Sequence, residues 1–191
     1  MPAHAFPDHT LESAPVAARR TMEAVADKQG YLPAAVGRLA TSPQLLDGFL
    51  KISAIFESTT LDPLSREVLI MTIATGNSCH VCVAMHTAKL TALGADVDLI
   101  AALREEKPLP LPDERLEAVR QFTLAVIATA GAVDDDTLQA FLAHGYTHRN
   151  ALEVVLGIGA YTISTLANRM TDAPVDPQLA AFAPVPAPAP M

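Results

Sequence analysis

A capping residue followed at once by proline occurs at Ser42-Pro43 and again at Asp62-Pro63, and Ser13-Ala14-Pro15 is a looser form of the same signal. Proline lacks a backbone N–H and has φ fixed near −65°, so it fits the first turn of a helix and breaks the interior of a helix or a central strand. Glycines at 30, 76, 94, 131 and 145 supply matching stops. Between these marks the chain divides into helical segments. The first runs over 13–30, and a short apolar segment follows over 34–40. A helix begins at Ser42 and carries Leu45, Leu46, Phe49, Leu50, Ala54 and Ile55 at helical spacing. The next begins at Asp62, bears Glu67 near its start, runs through the nearly all-apolar 68–74 and stops around Gly76. Its apolar stretch predicts burial on most sides. Further helices are expected over 97–104, 113–130 and 134–143, and a long last one from Thr147 to about Met170 with Glu153 near its start. No period-two alternation is long enough for a sheet. The fold class expected is all-α.

The proline-rich run 107–112 is the best break between two halves. The organisation read from this is a loose N-terminal arm over 1–12, a helical domain over 13–175, and a Pro/Ala-rich tail over 176–191 whose last stretch, 183–191, is solvated. Half of the 191 residues are hydrophobic and 18% are charged, which is a globular composition. The net charge is −8 with no run of Lys or Arg, which argues against nucleic-acid or anionic-membrane partners. The N-terminus lacks a signal-peptide layout. The longest apolar runs, 68–74 and 154–163, fall short of the ~20 residues that cross a bilayer. A cytoplasmic, soluble protein is expected, and in that compartment a lone cysteine pair is catalytic or metal-binding more often than structural.

The two cysteines are Cys79 and Cys82, in the run Cys-His-Val-Cys, and His86 follows four residues after the second. Asn77 and Ser78 read as N-caps and Gly94 as a stop, so the pair is expected in the first turn of a helix. Offsets of three, four and seven residues put Cys79, Cys82 and His86 on one face. His80 points off that face and is a weaker candidate. Two such thiols close into a disulfide with little backbone movement, and a helix N-terminus with a nearby imidazolium favours thiolate. A thiolate attacks a peroxide oxygen or a disulfide sulfur, and the second thiol resolves the product. His86 is placed to move the proton, and Glu67 could orient it if the two helices pack. By helix position alone Cys79 is the more acidic thiol. The plainer readings are a structural pair of small apolar side chains or half a zinc site. Zinc commonly takes four ligands, and the other histidines, His4, His9, His144 and His148, offer no second short-spaced pair. No metal and no cofactor is expected.

One internal echo is visible. Glu67-Val68 and Glu153-Val154 each lead an apolar helix, and in that register Thr165 stands opposite Cys79, Asn168 opposite Cys82 and Asp172 opposite His86. This has the form of a duplicated unit in which one copy kept the thiols.

At Glu67, Cys79, His80, Val81, Cys82 and His86 the sequence resembles the carboxymuconolactone decarboxylase superfamily in its AhpD-like alkylhydroperoxidase branch. Gly30-Tyr31-Leu32-Pro33, the Ser42-Pro43 helix, residues 90–94 and the stretch 168–174 extend the resemblance over about 30–175. It implies an AhpD-like helical fold with a degenerate internal repeat, assembled as trimers or hexamers with the site near subunit contacts. It also implies thiol-dependent reduction of a small hydroperoxide or disulfide, with electrons from an unidentified donor. By position, Cys82 would attack with His86 beside it, Cys79 would resolve, and Glu67 would complete the proton relay. Family members often carry His or Tyr directly before the second cysteine, where this chain has Val81. The alternatives are a non-redox lyase acting on a lactone carboxylate, which needs no thiols, and a non-catalytic helical oligomer.

Overall fold

The computed structural model describes residues 6–184, and over them the chain is helical, with no strand. The elements are α1 (Val16–Gln29), α2 (Ala34–Leu39), α3 (Pro43–Glu57), α4 (Pro63–Gly76), α5 (His80–Ala92), α6 (Val97–Arg104), α7 (Glu114–Ala128), α8 (Asp135–Ala143) and α9 (His148–Met170), followed by a 3₁₀ segment, Pro177–Phe182. The proline-marked starts act as the sequence indicates. The Ser42 side chain accepts from the Leu45 N–H, and Asp62 accepts from the Ser65 N–H at 2.9 Å. Thr147 and Asn150 form a reciprocal capping box at the head of α9.

The core is organised around α4. Ser65 and every residue from Glu67 to Thr75 are buried, and the helix packs against α5, α6, α7 and α9. A helix apolar on all sides is stable only when wrapped by others, and each fully buried Leu, Ile or Val here contributes roughly 1.5–3 kcal/mol relative to exposure. α9 reaches α4 and α3 because Gly157 has no side chain. A Cβ there would meet the Phe56 ring at 2.6 Å and Leu69 at 2.8 Å. α9 is 23 residues long and apolar enough by length and composition to cross a bilayer, but half of its apolar window is buried inside the bundle. Its inner face also carries Asn150, Glu153, Ser164, Thr165 and Asn168, all buried.

Of the arm expected over 1–12, residues 1–5 lie outside the described residues, and the remainder is tied to the bundle. Asp8 pairs with Arg38 at 2.6 Å, and the His9 carbonyl sits where a side chain at Gly37 would be. The tail is also held at its start: Asp176 accepts from the Ala34 N–H at 3.0 Å, and Arg104 donates to the Ala183 carbonyl at 3.0 Å. The first part of the 176–191 tail is therefore anchored through residue 183, and of the stretch 183–191 expected to be solvated, residues 185–191 lie outside the described residues.

Candidate functional site

The start of the cysteine helix differs from the sequence expectation. Neither Asn77 nor Ser78 caps α5. Asn77 ends α4, Ser78 takes the left-handed φ of 51°, and Cys79 itself is the N-cap. The reason is a tight junction between two helices. The Cys79 N–H closes α4 by donating to the Ala74 carbonyl at 2.8 Å, and the Cys79 carbonyl opens α5 by accepting from the Val83 N–H at 2.9 Å. Cys79 is thus fixed by backbone bonds on both sides, at the positive end of α5.

The two sulfurs lie 2.8 Å apart as free thiols, with Cys79 1% exposed and Cys82 5% exposed. Contact with the Cys82 thiol holds Cys79 below the ordinary cysteine value against the opposing effect of burial; the backbone N–H groups of Cys82 and Val81 and the charge of Arg169 add to it. Cys82 is pushed up by the same contact, by burial and by the charge on Cys79. Of the two, Cys79 is therefore the thiol that loses its proton more readily, as its helix position indicates.

One turn beyond Cys82, His86 is 3% exposed, and its Nδ1 lies 2.6 Å from Glu67 Oε2 on α4. Burial works to raise the Glu67 carboxyl, but the charge and hydrogen bond of His86, helped by Lys89, hold it below the usual carboxylate range. The packing of α4 on α5 thus brings Glu67 to His86 as expected. The Tyr161 ring meets the imidazole edge-on at 5.5 Å between centroids, which fixes the ring plane. Burial pushes the Tyr161 hydroxyl up to about 12, so it stays neutral. A hollow of about 400 Å³ lined by Glu57, Pro63, Arg66, Glu67, Lys89, Ala92 and Leu93 opens onto Glu67. A larger cavity of about 610 Å³ between α7 and α8 shares no residue with the site.

His80, the weaker candidate, turns from the thiols and places Nε2 3.1 Å from the Ala173 carbonyl. Sequence reasoning did not assign a role to the last turns of α9, which form the third wall. Asn168 Nδ2 lies 3.4 Å from Cys82 Sγ, the Ser164 hydroxyl donates to the Tyr161 carbonyl at 3.3 Å, Thr165 bonds Asn77 at 2.9 Å, and Arg169 donates to the Asn77 carbonyl at 2.5 Å. The repeat register held the signal, because it set Thr165 and Asn168 against Cys79 and Cys82. Among the described residues, no group of three His, Cys, Asp or Glu side chains is placed to hold a metal ion.

Part of the sequence and the fold as a whole are similar to known proteins. Residues 43–109 match the model of the carboxymuconolactone decarboxylase family. No curated protein sequence matches the chain. Among solved structures, an uncharacterised peroxidase-related protein from Ralstonia eutropha JMP134, described as an alkylhydroperoxidase AhpD core, superposes with a TM-score of 0.80 at 20% identity, over 98% of this chain and 100% of that one. A second peroxidase-related protein, from Silicibacter sp. TM1040, gives 0.74 at 17% identity over 92% of each chain. A cysteine-to-alanine variant of the debrominase Bmp8, in complex with 2,3,4-tribromopyrrole, gives 0.71 at 15% identity over 95% of this chain and 96% of that one.

Proposed function

We propose that the chain, whose residues 43–109 match the carboxymuconolactone decarboxylase family and whose fold is AhpD-like, is a dithiol oxidoreductase reducing small hydroperoxides. The observation that carries this reading is a reduced thiol pair at 2.8 Å on the same helix as an imidazole bound at 2.6 Å to a buried carboxylate. In this reading the Cys82 proton passes to the Cys79 thiolate as Cys82 Sγ attacks the terminal peroxide oxygen. The S–O bond forms and the O–O bond breaks. The leaving alkoxide takes a proton from His86, whose imidazolium Glu67 stabilises. Cys79 attacks the Cys82 sulfur as its proton passes to the departing hydroxyl, the S–O bond breaks and water leaves, which closes the disulfide. An external dithiol returns the two electrons by exchange. The experiment is turnover of an organic hydroperoxide with excess dithiol, measured beside Cys82→Ser. Undiminished turnover in that variant removes the proposal.

The debrominase neighbour favours a second electrophile for the same dithiol. Attack of Cys82 on an aromatic bromine would form S–Br and break C–Br, the ring carbon would take a proton, and Cys79 would expel bromide. Bromide release from a bromopyrrole, absent in Cys82→Ser, tests it. The lyase alternative needs no thiols, so activity on a lactone carboxylate that survives thiol alkylation would favour it over both.

The proposed assembly is homo-oligomeric. Along the outer face of α9, Leu152, Val155, Gly159, Ile163, Leu166 and Met170 fall on one helical stripe, and the five large side chains are 40–73% exposed. A second copy is the occupant this supports, because α9 also forms the wall of the thiol site. Light scattering of Leu152→Glu/Leu166→Glu against the unaltered chain tests it: a smaller particle supports the contact, an unchanged mass refutes it.

A further inference from the structure

Asn168 reaches the thiol pair from the last turns of α9. This side chain is 6% exposed, its Nδ2 contacts Cys82 Sγ at 3.4 Å, and its Oδ1 is buried without any hydrogen-bond partner. An orphaned buried carbonyl is costly because its lost hydration is not replaced, and native structures keep few. Here the cost falls on the same amide that touches a reacting sulfur. The backbone of the residue gives no structural reason for it, because the helix bonds of α9 run on past Asn168: the Ala173 N–H donates to the Asn168 carbonyl at 2.9 Å and the Thr171 hydroxyl bonds it too. The side-chain amide is therefore free to serve the thiol.

We propose that Asn168 is a working group of this site, its N–H stabilising the charge that forms on Cys82 Sγ and its unpaired carbonyl receiving the O–H of the oxygen delivered to that sulfur. The inference rests on the dithiol reading above. A hydroperoxide presents one O–H on the oxygen that is attacked, and the sulfenic acid that results keeps it. One amide can hold sulfur and oxygen together through the transfer: Nδ2–H on the sulfur, Oδ1 on the hydroxyl. Its placement fits an anion that exists only in passing. Of the two thiols Cys82 holds its proton more firmly, in the dithiol reading it carries charge only as that proton moves to Cys79, and a preset donor aimed at developing charge lowers a barrier without holding the resting state. A ligand that fills the acceptor must carry a hydroxyl or other donor on the attacked atom, so hydroperoxides with a free O–H are accepted and dialkyl peroxides, which lack it, are not.

The test uses the full chain with both cysteines reduced. Single-turnover loss of free thiol on adding an organic hydroperoxide is followed in the unaltered protein, Asn168→Ala and Asn168→Asp, and the pH profile of Cys82 alkylation is read by peptide mass spectrometry. Asn168→Ala slows oxidation about tenfold, the worth of one hydrogen bond to a charged group, and moves Cys82 alkylation to higher pH. Asn168→Asp, nearly the same shape, slows it further by setting a carboxylate against the sulfur. Oxidation within twofold of the unaltered rate in both variants, with the Cys82 profile unmoved, overturns the inference even if either variant melts earlier, because a merely structural amide or one holding a buried water predicts that result. If the unaltered protein does not react with hydroperoxide at all, the dithiol reading fails first. The alkylation profile still decides whether Asn168 acts on Cys82: an upward move in both variants supports it, an unmoved profile refutes it.

Discussion

Glu67 and Glu153 look alike in sequence and do different work in the fold. Each opens a Glu-Val pair at the head of an apolar stretch, each ends up 7% exposed, and each carboxyl is held below its ordinary range despite burial. Glu153 is saturated. Its Oε1 accepts from the Thr60 N–H and Arg149 Nε, both at 3.0 Å, and its Oε2 accepts from the Thr60 hydroxyl at 2.8 Å and Asn150 at 3.0 Å. None of those donors gives up a proton near neutrality, so the carboxylate fastens α9 to the loop after α3. Glu67 has one close partner, an imidazole at 2.6 Å, and a lysine at 3.7 Å on its other oxygen. An imidazole takes up and releases protons near neutrality. The lesson is that a buried acid becomes chemistry when its partner can exchange a proton, and becomes a fastening when its partners cannot.

The largest effect expected lies on the side of Glu67. Cys82→Ser and Cys79→Ser each lower hydroperoxide turnover by more than about 10³-fold, because either removes the dithiol as a unit. Steady-state turnover with excess dithiol reads this. Glu67→Gln comes next, with a loss of about 10²-fold, the lower end of general acid–base contributions. Turnover in Glu67→Gln within twofold of the parent would reduce Glu67 to the same fastening role as Glu153 and break the contrast.

Much of this contrast is legible in the order of residues alone. The cap-proline starts at Ser42-Pro43 and Asp62-Pro63 and the Thr147 start work because local hydrogen bonds decide them, and those depend on residue type. The meeting of Glu67 with His86 follows from α4 being apolar all round, which obliges it to pack against its sequence neighbour. The α4–α5 junction is not legible in that way. Asn77 and Ser78 are good caps by composition, but closing α4 onto the Cys79 N–H consumes them, and only the backbone path shows it. Asn168 is visible as a register counterpart of Cys82, and its contact with that sulfur is tertiary, set by how α9 lies across the bundle.

The two acids should also differ in what they do for stability. Glu153→Gln replaces an acceptor of four hydrogen bonds with an amide that can accept on one atom only, leaving donors buried. It lowers unfolding free energy by about 2 kcal/mol in urea denaturation while turnover stays within twofold. A fall in turnover as large as that of Glu67→Gln, in a variant that remains folded at assay temperature, would show that the second half still takes part in the chemistry.

The smallest effect is a slope against pH. Both carboxyls sit below the ordinary glutamate value of 4.5 in the folded chain. Folding is therefore favoured by each as long as pH stays above that value, and the contribution fades as pH falls through the lower folded-state value, where the carboxyl is protonated in both states. The stability gap between the parent and Glu153→Gln should accordingly be flat from neutral pH down to about 5 and close in more acid solution, and the Glu67→Gln gap should close over the same acid range. Urea midpoints taken at descending pH read both gaps. A Glu67→Gln gap that stays constant into strong acid would mean that Glu67 enters the fold uncharged, and an uncharged acid beside His86 could not stabilise the imidazolium on which the proton step depends.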